Sequence, residues 1–483
     1  MGKLNQRQTW LLLMLFACGL SLMMAAGAVA VHWAMPLSWV GLLVAAPAGV
    51  ALIKSEYFGV YLMTGIACFM NMFLKLIPNL PIGLLMDFCI LLMVLSMLYR
   101  CYWENSWKAT FGTPLTLAIV VWIGWHLLQF GNPIAASRAA WFYVMRPAVG
   151  YTLLFFVAWR CLGDLQKIKN MFWVLVVLTF ISAAWGVSQF VFAYFPFEMN
   201  YIVSHDAVHL VYIQGRWRSF GTMSSPSHFG VIMAGMTVVC WLLMGLRFSA
   251  WKKTLMLLTS MLALAGLVYS GARSGFAVFP LALAVVVGLS FNIRLYALSA
   301  VAGMLLAVLM VTPSNNYHIQ RLQSTFKAEE DLSYQVREKN KEMIMPWILA
   351  HPMGGGLGST GVWGQRFSPG TFLANFPPDS GYVRVSVEMG WIGFLLYIFL
   401  WGTVLWHSLK GFIFLKKNYR HKPEEAAERR VLALAMLALV VPLTVVETVQ
   451  DIVGKLPVNL LFWVWMAMLL RITEAPAKDK NRA

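Results

Sequence analysis

The sequence predicts an all-α polytopic membrane protein of about 14 (12–14) transmembrane helices, with one long extracytoplasmic loop subdomain containing an amphipathic helix. Three observations carry this. The 483 residues are 60% hydrophobic and only 12% charged, with a mean hydropathy of +0.69, more apolar than a soluble domain needs. Apolar runs of membrane-crossing length follow one another along the chain. Residues 313–393 form the one long polar interruption, rich in glycine and charge.

Runs near 10–31, 37–53, 57–75, 81–99, 113–131, 142–160, 171–195, 228–246, 254–270, 274–291, 295–312, 382–408, 431–449 and 456–471 are each read as a span. The first ends near Ala28-Val29-Ala30, a small-residue pattern that also suits a cleaved signal peptide. Its length from Trp10 to Val31 exceeds a usual signal core, so a retained anchor is expected.

Lysine and arginine set the orientation, because cytoplasmic loops accumulate them. With the N-terminus inside, 23 of the 37 Lys and Arg fall on the cytoplasmic side, so both termini are expected there. The whole chain, 1–483, then reads as one membrane domain with a smaller periplasmic loop at 196–227, a long periplasmic loop subdomain at 313–381 and a basic cytoplasmic loop at 409–430. The net charge of +17 has this topological origin, and no nucleic-acid partner is expected. The six cysteines lie in apolar runs or at cytoplasmic ends, so no disulfide framework is implied. Residues 331–350 mix charged and apolar side chains as an amphipathic helix on the outer membrane surface would, with Pro346 expected to bend or end it.

Arginines on the outer side run against the positive-inside bias. Arg216, Arg218, Arg273, Arg337 and Arg384 all fall there, and Ser270-Gly271-Ala272-Arg273-Ser274-Gly275 makes a tight turn between two spans. A charge at mid-bilayer costs about 3 kcal/mol or more, and less where it can snorkel. Each could snorkel or pair with a carboxylate; several together, flanked by small residues, suit a diphosphate, whose oxygens match the planar guanidinium fork. The run His351-Pro352-Met353-Gly354-Gly355-Gly356-Leu357-Gly358 could expose consecutive N–H groups to an anion, with Gly355 and Gly356 at its centre, or could simply be a flexible turn.

Asp379 stands at the mouth of the span beginning near Tyr382, where it could cap the helix or act as general base for a hydroxyl. Glu388 lies four residues after Arg384 and could pair with it, and His351 is an alternative base. His205 and His209 are spaced for metal, but no third ligand is evident, so no metal site and no cofactor are expected. Asp87, His126 and Glu447 fall within apolar runs, where either function or helix packing would keep them.

Four segments together resemble the O-antigen ligase and O-antigen polymerase superfamily. Arg218-Ser219-Phe220-Gly221-Thr222-Met223-Ser224-Ser225-Pro226-Ser227-His228-Phe229-Gly230 is similar to that family's entry to a mid-chain span, and Ser270 to Gly275 to its "S-R-g" turn. Arg337, Trp347 and His351 through Gly358 resemble its outer loop. Asp379-Ser380-Gly381-Tyr382 with Glu388-Met389-Gly390-Trp391-Ile392-Gly393 resembles its closing motif.

The resemblance covers roughly residues 215–395. It implies a membrane glycosyltransferase, on the outer face of the bacterial cytoplasmic membrane, that uses a polyprenyl-diphosphate-linked glycan as donor and builds exopolysaccharide or O-antigen. It implies Arg218, Arg273 and Arg337 as the diphosphate-binding set, joined by Arg384, Gly355 and Gly356, and Asp379, His351 and Glu388 as catalytic candidates. Membrane lipids and a chain-length regulator or export complex are the implied partners. Ligases of lipopolysaccharide place His then Asn where this chain has Asp379 and Ser380, which favours a polymerase over transfer to a lipid or protein acceptor. A transporter or flippase would gather charges at the midplane in inverted repeats, and here they lie at outer ends. A scaffold in a synthesis complex is the third reading.

Overall fold

A computed structural model describes residues 49–77, 81–213, 215–290, 332–417 and 423–474, together with Thr312, Gln320 and Gln323. The spans expected at 10–31, at most of 37–53 and at nearly all of 295–312 lie outside the described residues. So does Cys18; the other five cysteines are free and buried.

The described chain is helical almost throughout. Helices α1 (Glu56–Leu76), α2 (Ile82–Trp103), α3 (Trp107–Phe111) and α4 (Thr116–Leu128) come first, the last extended by a 3-10 turn at Gln129–Gly131. Next are α5 (Arg138–Cys161) and α6 (Leu165–Val191). A segment between spans follows, with α7 (Pro196–Ser204), α8 (Val208–Val211) and a small antiparallel hairpin, β1 (Tyr212–Ile213) with β2 (Arg216–Trp217), in which Tyr212 faces Trp217. Then come α9 (Pro226–Met244), α10 (Ala250–Ser270), α11 (Arg273–Ser290), α12 (Leu332–Ala350), α13 (Gly361–Phe367), α14 (Gly381–Lys417), α15 (Pro423–Val446) and α16 (Val458–Thr473).

Among the described residues nine helices are long and apolar enough to cross a membrane, and the runs at 116–131 and 458–473 form two shorter apolar helices. They coincide with the expected spans from 57–75 onward, apart from 295–312, which lies outside the described residues. Serine side chains begin several: Ser55, Ser137 and Ser225 each accept a backbone N–H of the first turn of α1, α5 and α9. Large apolar side chains such as Leu91, Leu117 and Trp406 stay exposed, as hydrocarbon-facing residues do.

Helices α9, α15 and α16 are buried along most of their length and form the centre. Helix α9 packs on α10, α11 and α15, and α16 packs on α5, α14 and α15. The glycines of two motifs serve this packing: a Cβ at Gly275 would stand 2.8 Å from the backbone of Gly230, and one at Gly230 would stand 2.8 Å from Ala272. Small residues let these backbones approach, as in membrane bundles generally.

Helix α12 occupies the expected amphipathic stretch and runs through Pro346 without ending. Its Ile344 and Ile348 are buried against Leu373, Phe376 and Val387, while Met343, Met345 and Leu349 stay exposed.

Candidate functional site

One end of the bundle collects the starts of α5, α9, α11, α14 and α16. Cross-links tie those starts together: Ser224 Oγ donates to the Leu456 carbonyl before α16, and the Gly381 N–H at the head of α14 donates to the Glu447 carbonyl just after α15. Helix N-termini carry partial positive charge, so an anion is favoured locally at these starts.

The first layer joins two of the motifs. Gly271, in the left-handed region at φ 53°, ends α10, and Arg273 opens α11 two residues later. Arg218 is 7% exposed, and its Nε donates to the Ser270 carbonyl at 2.7 Å while its Nη1 reaches the Leu210 carbonyl at 3.4 Å. The Ser219 N–H donates to the Tyr269 carbonyl at 3.0 Å, and Tyr194 Oη donates to the Arg218 carbonyl at 2.7 Å. Arg218 thus pins its own segment against the turn bearing Arg273, which is half-buried. On the other flank Lys75 is buried over the Phe220 ring at 3.6 Å and donates to the Met223 carbonyl at 3.2 Å. Arg337 lies on α12.

The second layer is the glycine run. Helix α14 breaks at Gly390, where φ is 72° and ψ 178°, so the Val387 and Glu388 carbonyls lose their usual helical partners. The N–H groups of Gly355 and Gly356 take over, donating to those two carbonyls at 2.8 and 2.9 Å. The sequence left open an anion cradle or a flexible turn; here both N–H groups are spent on the broken helix. A Cβ on Gly390 would stand 1.9 Å from the Pro352 carbonyl oxygen, so only glycine lets loop and break interlock. Behind the loop, Asn132 Nδ2 donates to the Gly354 carbonyl at 2.9 Å and Gln129 Nε2 to the Met353 carbonyl at 2.9 Å. These two amides, at the end of α4, were not singled out in the sequence.

The third layer is acidic. Glu388 is 4% exposed and accepts from Thr360 Oγ1 at 2.6 Å, which fastens the loop to α14 and keeps the carboxylate away from any bulky substrate. Arg384 Nε meets Asp451 Oδ2 at 2.9 Å, and its Nη1 lies 3.7 Å from Glu388. Its fork therefore faces two internal carboxylates rather than standing open to a phosphate. Glu447 is fully buried, its Oε2 accepting the N–H groups of Ile452 and Val453 at 3.1 Å. Asp451 was missed from the sequence; its signal was an acid four residues beyond Glu447 in an otherwise apolar stretch.

Between these layers sit the two possible bases. Asp379 is half-buried, and its carbonyl accepts the Asp451 N–H at 3.0 Å. The capping role open to it falls to Ser380, whose Oγ accepts the Val383 N–H at 3.4 Å. His351 stacks on Trp347 at 4.2 Å with Nδ1 2.7 Å from the Trp347 carbonyl, so Nδ1 carries the hydrogen and a neutral ring offers Nε2 as acceptor. Asp87, His126 and Glu447, read within apolar runs, each find a partner inside the bundle. Asp87 pairs with Arg146, and His126 Nδ1 lies 2.8 Å from the Trp122 carbonyl. His205 Nδ1 is 3.0 Å from the Tyr201 carbonyl, and no group of three metal-binding side chains occurs among the described residues.

The Arg384–Asp451 pair, its acid buried and its guanidinium half-buried, is a stability element with a clear signature. Asp451→Leu leaves the half-buried guanidinium with Glu388 at 3.7 Å and is expected to cost about 2 kcal/mol, read as a fall in Tm. Adding Arg384→Leu should recover part of that loss; a double variant less stable than the single one would show that the pair is not the coupled unit described.

Residues 258–398 match the O-antigen ligase family, a stretch that runs from α10 through the break in α14 and so includes Arg273, Arg337, the glycine run and Asp379. No curated protein and no solved structure matches the chain. On these residues, and with an all-α membrane-spanning fold around them, the match supports the O-antigen ligase and polymerase superfamily and glycan transfer of that type.

Proposed function

We propose that this protein polymerises a polyprenyl-diphosphate-linked oligosaccharide into exopolysaccharide or O-antigen, on the outer face of the bacterial cytoplasmic membrane with both termini in the cytoplasm. The observation that carries this is the 2.7 Å bond from Arg218 Nε to the Ser270 carbonyl, which holds the Arg218 segment at the turn that presents Arg273. Arg273, with Arg337 from α12, meets the donor diphosphate, and Arg218 acts chiefly by stationing the turn. A hydroxyl at the non-reducing end of the acceptor unit attacks the anomeric carbon of the donor. The bond from that carbon to the diphosphate oxygen breaks, polyprenyl diphosphate leaves, and the hydroxyl proton passes to Asp379, with His351 as the alternative acceptor. Guanidinium charge neutralises the leaving group as it forms. Arg384, Glu388, Gly355 and Gly356 hold the loop that surrounds this chemistry. A chain-length regulator or export complex is the expected protein partner.

Asp379→Asn removes the base while keeping its size, and transfer should fall about 100-fold or more with donor binding retained. Product formation by the purified variant, alongside donor binding, checks this; undiminished turnover would assign the base elsewhere.

Transfer to a lipid or protein acceptor is the second reading. Asp379-Ser380 in place of the His-Asn of lipopolysaccharide ligases favours polymerisation. Reconstitution with one defined lipid-linked repeat unit separates them. A ladder of products from that unit alone is expected, whereas turnover only after a different acceptor is added would make the protein a ligase.

A further inference from the structure

The opposite end of the bundle holds a cavity of about 510 Å³ that none of the chemistry above uses. Its walls come from the start of α1, the ends of α2, α5 and α16, the short α3 and the first turn of α6. Five cations, Lys54, Arg100, Arg160, Lys167 and Arg471, line it against two carboxylates, Glu56 and Glu104.

The arginines are built in. Arg100 Nη2 donates to the carbonyls of Ile53 and Lys54 at 2.9 and 2.8 Å, and Arg160 pairs with both Glu56 and Glu104 while donating to Ser106 Oγ at 2.7 Å. Arg471 donates to the Trp159 carbonyl at 2.8 Å, lies 3.8 Å over the Trp159 ring and pairs with Glu474. Both lining carboxylates are thereby committed to arginine. Among the described residues no carboxylate lies within ion-pair distance of the Lys54 or Lys167 ammonium, and Lys167 sits 5.7 Å from the Tyr57 ring. Among the described residues the cavity thus holds a positive excess with no matching carboxylate.

Its depth is marked independently. Tyr102, Trp103 and Trp107, at the end of α2 and the start of α3, are exposed on the same rim. Exposed Tyr and Trp at helix ends sit at the level of lipid headgroups. A basic pocket between spans at that depth suits a phosphate.

We infer that this cavity binds the phosphate group of an anion, held by Lys54 and Lys167 against the rigid arginine wall, with two possible sources: the headgroup of an anionic phospholipid, or a soluble phosphate. Binding there clamps α1, α2, α5 and α16 together and stabilises the bundle from the end remote from the transfer site. It depends on neither Arg273 nor Asp379.

Thermal unfolding of the full chain in detergent micelles tests this, titrated in turn with phosphatidylglycerol, phosphatidylcholine and sodium pyrophosphate. Phosphatidylglycerol should raise Tm by about 3 °C or more, and phosphatidylcholine should not. An equal rise with pyrophosphate assigns the phosphate to solution, and no rise with it assigns the phosphate to lipid. Lys54→Gln with Lys167→Gln breaks no ion pair among the described residues, so the variant should keep its Tm without additive and lose more than about half of the shift. If the double variant does not fold, each single variant is read in its place, with a reduced shift expected. The inference is overturned if phosphatidylcholine acts as well as phosphatidylglycerol, if neither anion shifts Tm, or if the variants respond like the unaltered chain.

Discussion

Arg273→Ala is expected to remove long-chain polysaccharide from cells that carry it as their sole copy, with transfer falling at least about 100-fold. Arg273 opens α11, where its charge adds to the positive end of the helix, and the Arg218 bond to Ser270 holds that turn in place. A diphosphate that leaves with its electron pair gains most from charge already positioned at the oxygens, since no reorganisation is then required. Arg273→Lys keeps the charge and loses the planar fork, so it should fall between the two. Polymer length on a gel, with membrane levels of the protein checked, reads the effect. A normal ladder from the alanine variant would remove Arg273 from the chemistry.

Gly390→Ala should be the most disruptive small change in the outer region. Alanine at φ 72° is strained, and its Cβ would lie 1.9 Å from the Pro352 carbonyl oxygen, a distance that backbone must move to relieve. Moving it pulls Gly355 and Gly356 off the Val387 and Glu388 carbonyls and loosens the Thr360 bond to Glu388. The combined cost is on the order of 4 kcal/mol. Gly402, later in the same helix, has open space around it, so Gly402→Ala is the matched control and should leave Tm nearly unchanged. If the two variants melt together, the interlock of loop and break is not what holds this region.

Much of the fold was legible because hydrocarbon imposes a simple rule: each span must be a long apolar helix that satisfies its own backbone. Arg218 and Arg273 were singled out among five arginines read as outward, but the sequence could not say that Arg218 would spend its Nε on the Ser270 carbonyl. The partner of the glycine run was not legible for a physical reason. The run's N–H groups look available until the break at Gly390 supplies two carbonyls lacking partners, and that pairing joins segments about 30 residues apart. Glu388 and Arg384 were read either as a pair or toward substrate; the pair is present at 3.7 Å, and their further partners, Thr360 and Asp451, were not legible because they come from other segments. Pro346 was given too much weight, since burial of Ile344 and Ile348 on α14 holds α12 helical on both sides of it.

The most direct measurement is the affinity of the purified protein for polyprenyl diphosphate and for polyprenyl monophosphate, taken with the unaltered chain and with Arg273→Ala. Tighter binding of the diphosphate by about tenfold or more, lost in the variant, is the result expected if outer guanidinium groups hold the leaving group. Equal affinity for the two lipids, or a preference that survives the substitution, would contradict it.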